Sequence, residues 1–200
     1  MEDIKGYYNT YFKPNNAYLI IVGDIDLKTA KNISEKYFAK WVPGEVKNPT
    51  YTQPKEPAKT YIALVDRPAS VQSVINITYP VDLKPGTQDA IKARVTNQIL
   101  GVGFSARLNQ NLREKNGFTY GAGSQLNPDN LIGSFNASAS VRNEVTDSSI
   151  YEFISELKRI VNEPVEEKEL ILAKAEISGA FGRSLENPQT IANFALNTAK

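Results

Sequence analysis

The chain has 200 residues, with 23 Lys and Arg against 22 Asp and Glu, and it contains no His and no Cys. A formal net charge of +1 gives no electrostatic reason to expect nucleic acid or an anionic membrane as a partner. The lack of His and Cys excludes a Ser-His-Asp triad, a thiolate nucleophile, a zinc finger and an iron–sulfur site from these residues, and no run approaches the roughly 18 apolar residues of a membrane span.

The first quarter of the chain shows helix, strand and helix patterns in that order. Residues 4–12 are typical of the end of a helix, and the turn signal Pro-Asn-Asn follows them. Residues 17–25, AYLIIVGDI, are almost wholly apolar, which predicts a central strand buried on both faces. Asp26 then caps a predicted helix that extends to about Trp41.

Residues 43–59 contain four of the 11 prolines of the chain and few side chains that could form a core. Because proline fixes φ and removes a hydrogen-bond donor, this segment is predicted to be an extended and fairly stiff linker. A domain boundary near residue 50 follows.

The remaining sequence alternates between strand and helix patterns. It predicts strands at 60–66, 71–79, 118–126 and 131–141, and helices that begin near residues 87, 105, 146, 165 and 188. Apolar and polar residues alternate along 131–141, which is typical of an antiparallel strand with one face in solvent. The predicted fold class is therefore α+β, an antiparallel or mixed sheet with helices packed on one face.

Two motifs look functional but have simpler explanations. GVGFSA at 101–106 matches the G-x-G-x-x-A variant of the dinucleotide fingerprint, but a predicted helix precedes it where that fingerprint needs a strand. We interpret it as a glycine hinge between two helices. Glu166, Glu167 and Glu169 follow Pro164, and we interpret them as a solvated helix start that the helix dipole favours.

Arg113 and Tyr120 form a candidate donor pair. Arg113 lies at the end of the short predicted helix, Gly117 turns the chain, and Tyr120 comes early in the next strand. A guanidinium and a phenol placed side by side are suited to a carbonyl oxygen or its oxyanion. From the residues alone, a solvated Arg and a Tyr packed in a sheet are the simpler interpretation.

Two segments resemble the pitrilysin/insulinase-like zinc metalloproteases, a family that includes the mitochondrial processing peptidases. The run GVGFSARLNQNLREKNGFTYGAGS resembles the signature segment of the second domain of that family. The opening YYNTYFKPNNAYLIIVGDIDLKTAKNISEKYF resembles the end of the first domain. The resemblance covers nearly the whole chain and implies a pitrilysin-like α+β domain.

The resemblance also implies roles for particular residues. In that family one domain carries an inverted H-x-x-E-H zinc motif, and a metal-free companion domain supplies an Arg and a Tyr that contact the substrate near the scissile bond. Arg113 and Tyr120 are implied to be these substrate-binding residues. Because the chain has no His, no catalytic residue and no metal ligand is expected in it. An upstream domain or a separate catalytic subunit would bring Zn²⁺ and the general base.

The same resemblance implies a domain organisation. It assigns residues 1–42 to the C-terminal tail of the preceding zinc domain, 43–59 to the linker, and 60–200 to a companion domain short of its final strand. Both termini fall inside helical patterns, so we expect a fragment of a longer protein. Because the two domains of the family are homologous, we expect strand 17–25 to take the place of the missing strand, against the sheet of 60–79.

The implied function is the non-catalytic, substrate-binding portion of a zinc-dependent endopeptidase that hydrolyses unfolded peptides in a clamshell chamber. An alternative is a proteolytically inactive assembly or scaffold subunit, because some members of the family have lost catalysis. An unrelated peptide-binding α+β module is a third interpretation. The sequence leaves the compartment open, although bacterial relatives with this pattern are often envelope proteins, which favours the periplasm.

Overall fold

The computed structural model describes residues 1–46, 50–52, 54 and 57–199. These residues belong to two compact units, one made of Met1–Thr50 with Gly179–Lys200 and the other of Tyr51–Ser178. Parts of the predicted linker, at 47–49, 53 and 55–56, lie outside the described residues. The linker at 43–59 and the assignment of 1–42 and 60–200 to two domains therefore stay predictions.

The described residues contain helices and strands in the alternating order that the sequence predicts for an α+β protein. In chain order they are α1 (Glu2–Tyr11), α2 (Leu27–Phe38), β1 (Gln72–Val81), α3 (Gln88–Gly101), α4 (Arg107–Asn109), β2 (Thr119–Asn127), β3 (Gly133–Arg142), α5 (Thr146–Asn162), α6 (Glu167–Ser184) and α7 (Pro188–Ala199). A π-helical turn, Gln110–Lys115, continues α4.

The predicted cap of α2 is present in the first unit. The Asp26 carboxylate accepts hydrogen bonds from the backbone N–H of Thr29 at 2.9 Å and from its hydroxyl at 2.7 Å. These bonds stabilise the ionised form, so the pKa of Asp26 is lowered. The helix ends at Phe38, a little before the predicted Trp41.

The prediction of a buried central strand at 17–25 is wrong. Tyr18 and Leu19 are exposed, and these residues pair with no strand in the part of the chain that the structure describes. An apolar run becomes a strand only where a second backbone completes its hydrogen-bond ladder. Residues 60–66 form no strand either.

The second unit contains a three-stranded antiparallel sheet in the order β1-β3-β2. β3 is the central strand and pairs with β1 along its whole length, from Gln72 opposite Arg142 to Val81 opposite Gly133. The predicted alternation in β3 is confirmed, since Phe135, Ala137, Ala139 and Val141 are buried while the residues between them are exposed or half-buried.

The core of the second unit lies between one face of this sheet and helices α3, α4 and α5. Its buried residues are Ile75, Leu100, Leu108, Leu112, Phe135, Ala137, Ala139, Val141 and Phe153. Each large apolar side chain in such a core contributes about 1.5–3 kcal/mol relative to its exposed state. Because the sheet is antiparallel and the helices cover one face, the predicted α+β class is confirmed.

The glycine-rich segment 101–106 joins α3 to α4, as the hinge interpretation expects. A Cβ on Gly101 would collide with the side chain and backbone of Ser124 in β2, so only glycine allows this close approach of helix and strand. Ser124 is also bonded to Asn97 of α3, donating from its hydroxyl to the side-chain oxygen at 2.7 Å and accepting at its own carbonyl at 3.1 Å. The end of α3 is thereby fixed against β2.

Candidate functional site

Arg113 lies in the π-helical turn that continues α4. Leu108 and Leu112 have no exposed surface, so they anchor this segment in the core. The turn closes where the backbone N–H of Phe118 donates to the Leu112 carbonyl at 2.8 Å, and Gly117 adopts the left-handed φ of +63° that this reversal requires. Arg113 is therefore held at the surface directly before β2.

The Arg113 guanidinium has two neighbours that orient it. Its Nε lies 3.2 Å from Oε1 of Glu114, and its central carbon lies 5.2 Å from the ring centroid of Phe104. The Phe104 carbonyl accepts hydrogen bonds from the side-chain amides of Asn109 at 3.1 Å and Gln110 at 2.8 Å, so the loop that carries the ring is also fixed. The Arg113 side chain stays 42% exposed. It can therefore donate hydrogen bonds to a further group.

Tyr120 stands at an irregularity in β2. Thr119 lies opposite Val141 and Ala122 opposite Ala139, so two residues of β2, Tyr120 and Gly121, face the single residue between them on β3. This is a β-bulge, a feature that re-aims side chains next to functional sites. Tyr120 is 91% exposed, so its phenol is directed to solvent instead of being packed in the sheet.

The hydroxyl of Thr119 holds this bulge. It lies 2.6 Å from the Ser140 carbonyl and 3.0 Å from the Gly121 carbonyl, and it accepts from the Gly121 N–H at 3.2 Å. One side chain thereby bridges both strands at the position where they lose regular pairing. These contacts hold the backbone on both sides of Tyr120.

Arg113 and Tyr120 line one depression of about 390 Å³. The other residues that line it are Gln72, Glu114, Gly117, Phe118, Thr119 and Arg142. The structure thus places the two predicted residues in the lining of the same depression. Their role in substrate binding stays a prediction.

Sequence reasoning missed a buried ion pair in the same unit. Arg107 donates from Nε and Nη2 to the two carboxylate oxygens of Glu169, at 2.9 Å and 2.7 Å. The Arg107 side chain is 5% exposed and that of Glu169 is 25% exposed. Hydrogen bonds from Arg107 lower the pKa of Glu169, and those same bonds raise the pKa of Arg107. Glu169 is therefore not part of a solvated helix start, whereas Glu166 and Glu167 are exposed as expected.

Arg142 is a second residue that sequence reasoning missed. It is the last residue of the alternating strand β3 and lies opposite Gln72. The one feature of the sequence that could have indicated it is its position at the end of a predicted strand next to the strand that carries Tyr120.

The described part of the chain holds no group of three or more acidic side chains that could bind a metal ion. Of the helices that the structure describes, none is both long enough and apolar enough to cross a membrane.

Residues 1–177 match the family described as "Peptidase M16 inactive domain". The chain belongs to this family. The resemblance to pitrilysin/insulinase-like peptidases is thereby confirmed, and the chain is a non-catalytic portion within a peptidase family. No curated protein matches the sequence.

Several solved structures with a similar fold are bacterial peptidases or peptidase domains. A peptidase M16 inactive domain from Pseudomonas fluorescens is 28% identical, with a TM-score of 0.69 over 78% of this chain and 37% of that chain. A protease from Helicobacter pylori is 21% identical, with a TM-score of 0.86 over 96% of this chain and 47% of that one. The periplasmic protease PqqL from Escherichia coli is 14% identical, with a TM-score of 0.68 over 99% and 23%. The chain thus spans less than half the length of each of these relatives.

Proposed function

We propose that this chain is the substrate-binding companion of a zinc-dependent endopeptidase. Zn²⁺, its ligands and the general base would come from an upstream domain or a separate catalytic subunit, and the two parts would enclose an unfolded peptide. The observation that carries the proposal is the depression that Arg113 and Tyr120 both line. Such a pair can hold the carbonyl oxygen of a peptide bond and stabilise the oxyanion that forms on hydrolysis.

The geometry favours binding of the peptide at the Thr119–Tyr120 end of β2. Farther along β2, the Ser124 carbonyl is already engaged by Asn97, and Gly101 packs directly against Ser124. At the bulge, by contrast, Tyr120 is exposed and beside the depression. A peptide held there in extended form would be recognised mainly through its backbone, which tolerates many side chains.

The first test is peptide hydrolysis by the intact enzyme, with and without a zinc chelator, beside this 200-residue chain alone. Chelator-sensitive cleavage by the intact enzyme and none by the chain alone is the expected result. Failure of both to cleave, with zinc supplied, would contradict the proposal and favour an inactive assembly or scaffold subunit instead.

The role of Arg113 is tested by Arg113→Ala in the intact enzyme. We expect kcat/KM to fall by about 10²-fold, because loss of one oxyanion donor typically lowers the rate by 10²–10³. The matched control is Arg94→Ala on α3, since Arg94 is exposed and does not line the depression. Unchanged kinetics in the Arg113 variant would reject the assignment.

A further inference from the structure

The depression that holds Arg113 and Tyr120 has a second arginine, Arg142, in its wall. Because side chains alternate along β3 and Val141 is buried, Arg142 points to the solvent face of the sheet. The bulge opposite Ser140 directs Tyr120 to solvent next to this end of β3. The Arg142 N–H also donates to the Phe118 carbonyl at 3.4 Å, which ties the end of β3 to the turn that precedes β2.

Arg142 brings to the depression a positive charge that no negative charge in the lining offsets. Glu114 lies 3.2 Å from Arg113, so these two charges offset each other. The guanidinium of Arg142 forms neither a hydrogen bond nor an ion pair with any residue in the described ranges. With no other ionised side chain in its lining, the depression carries one uncompensated positive charge.

From this placement we infer that Arg142 is a specificity-determining residue that selects peptides with an acidic side chain close to the bond held by Arg113 and Tyr120. The inference rests on the proposed function. A guanidinium presents a planar set of donors that matches a carboxylate with two parallel hydrogen bonds. Because Arg142 is exposed, the pair would contribute modestly to affinity and mainly to the choice between peptides.

Fluorescence anisotropy with the 200-residue chain tests this inference. The probes are short labelled peptides that are neutral apart from one Glu, which is placed at each position in turn. The same peptides with Gln or with Lys in place of the Glu are measured beside them. We expect the wild-type chain to bind the best Glu peptide roughly two- to fivefold more tightly than its Gln partner, as for an exposed ion pair. Arg142→Gln should remove this preference, and Arg142→Glu should transfer it to peptides with Lys. Arg94→Gln is the matched control and should keep the wild-type preference.

The outcomes separate this inference from the proposed function. If Arg113→Ala weakens the Glu and Gln peptides equally while Arg142→Gln leaves their ratio unchanged, Arg142 has no selective role and the substrate site stands. A wild-type chain that binds both peptides equally at every position also overturns the inference. If the wild-type chain binds neither peptide, the inference fails, whereas the proposed substrate site is decided by the kinetics of Arg113→Ala in the intact enzyme.

Discussion

Arg107 and Arg113 lie in one continuous helical segment, yet their surroundings are opposite. Arg107 is almost fully buried, and two of its guanidinium nitrogens bond to Glu169. Arg113 is 42% exposed and contacts the carboxylate of the adjacent Glu114 at a single 3.2 Å distance. Nη1 of Arg107 has no hydrogen-bond partner among the described residues, but it is buried and closed to solvent. The donors of Arg113 belong to a side chain that is open to solvent. Burial and pairing thus distinguish a structural arginine from a candidate binding arginine.

The largest expected effect is the loss of stability in Arg107→Ala. Removing one partner of a buried ion pair leaves the other charge uncompensated, so we expect the free energy of unfolding to fall by about 3 kcal/mol. Urea unfolding of the 200-residue chain measures this change. Arg113→Ala is the matched comparison and should change the free energy of unfolding by no more than about 1 kcal/mol, because its ion pair is exposed. Equal losses of stability in the two variants would contradict the distinction between a structural arginine and a binding arginine.

A smaller effect is expected from acidification, which neutralises Glu169 but leaves both side chains of the ion pair in place. The folded-state pKa of Glu169 is lowered by hydrogen bonds from Arg107. The ionised carboxylate therefore stabilises the fold above its ordinary pKa of 4.5, and this contribution is lost as the pH falls through the folded-state pKa. Asp26 and Asp129 also have lowered pKa values and add to the same trend.

Glu169→Gln isolates the contribution of the ion pair. We expect this variant to be less stable than the wild-type chain at neutral pH, and the difference to shrink as the pH falls below about 4. Urea unfolding across this pH range measures it. A difference that stays constant with pH would show that the charge of Glu169 does not stabilise the fold.

Much of the fold was predictable because local patterns decide it. The alternation in 131–141 identified β3, and Asp26 caps α2 as expected. The errors fall on 17–25 and 60–66, whose composition is that of strands. Whether such a run becomes a strand depends on a partner backbone, which its own sequence does not contain.

The proximity of Arg113 and Tyr120 was predictable to a similar depth. The spacing of Arg113 and Tyr120 around a turn indicated that they lie near each other, and both line one depression. The partner of Arg107 was not predictable, since it depends on a contact between distant parts of the chain. Arg107 meets Glu169 only after two strands and a helix have intervened. A charged residue in a sequence does not reveal whether its partner is a side chain, water or a ligand.

The smallest expected effect concerns the bulge that exposes Tyr120. Thr119→Val keeps the shape of the side chain but removes the hydroxyl that contacts Ser140 and Gly121. We expect the free energy of unfolding to fall by about 1 kcal/mol, the typical net contribution of a hydrogen bond. If Tyr120 binds substrate, kcat/KM of the intact enzyme should fall by more than this loss of stability explains, because the phenol is no longer held in place.

Thr119→Ser provides the control, since it retains a hydroxyl at the same position and should recover most of the activity. Urea unfolding and steady-state kinetics of both variants separate the two roles. Reduced activity in both variants would show that the methyl group of Thr119 matters, and full activity in Thr119→Val would show that the bulge does not position Tyr120. Activity that is lost in Thr119→Val and recovered in Thr119→Ser would show that the hydroxyl of Thr119 supports the site beside Arg113. Arg107 would then be held by the half-buried carboxylate of Glu169, and the exposed site beside Arg113 by the single hydroxyl of Thr119.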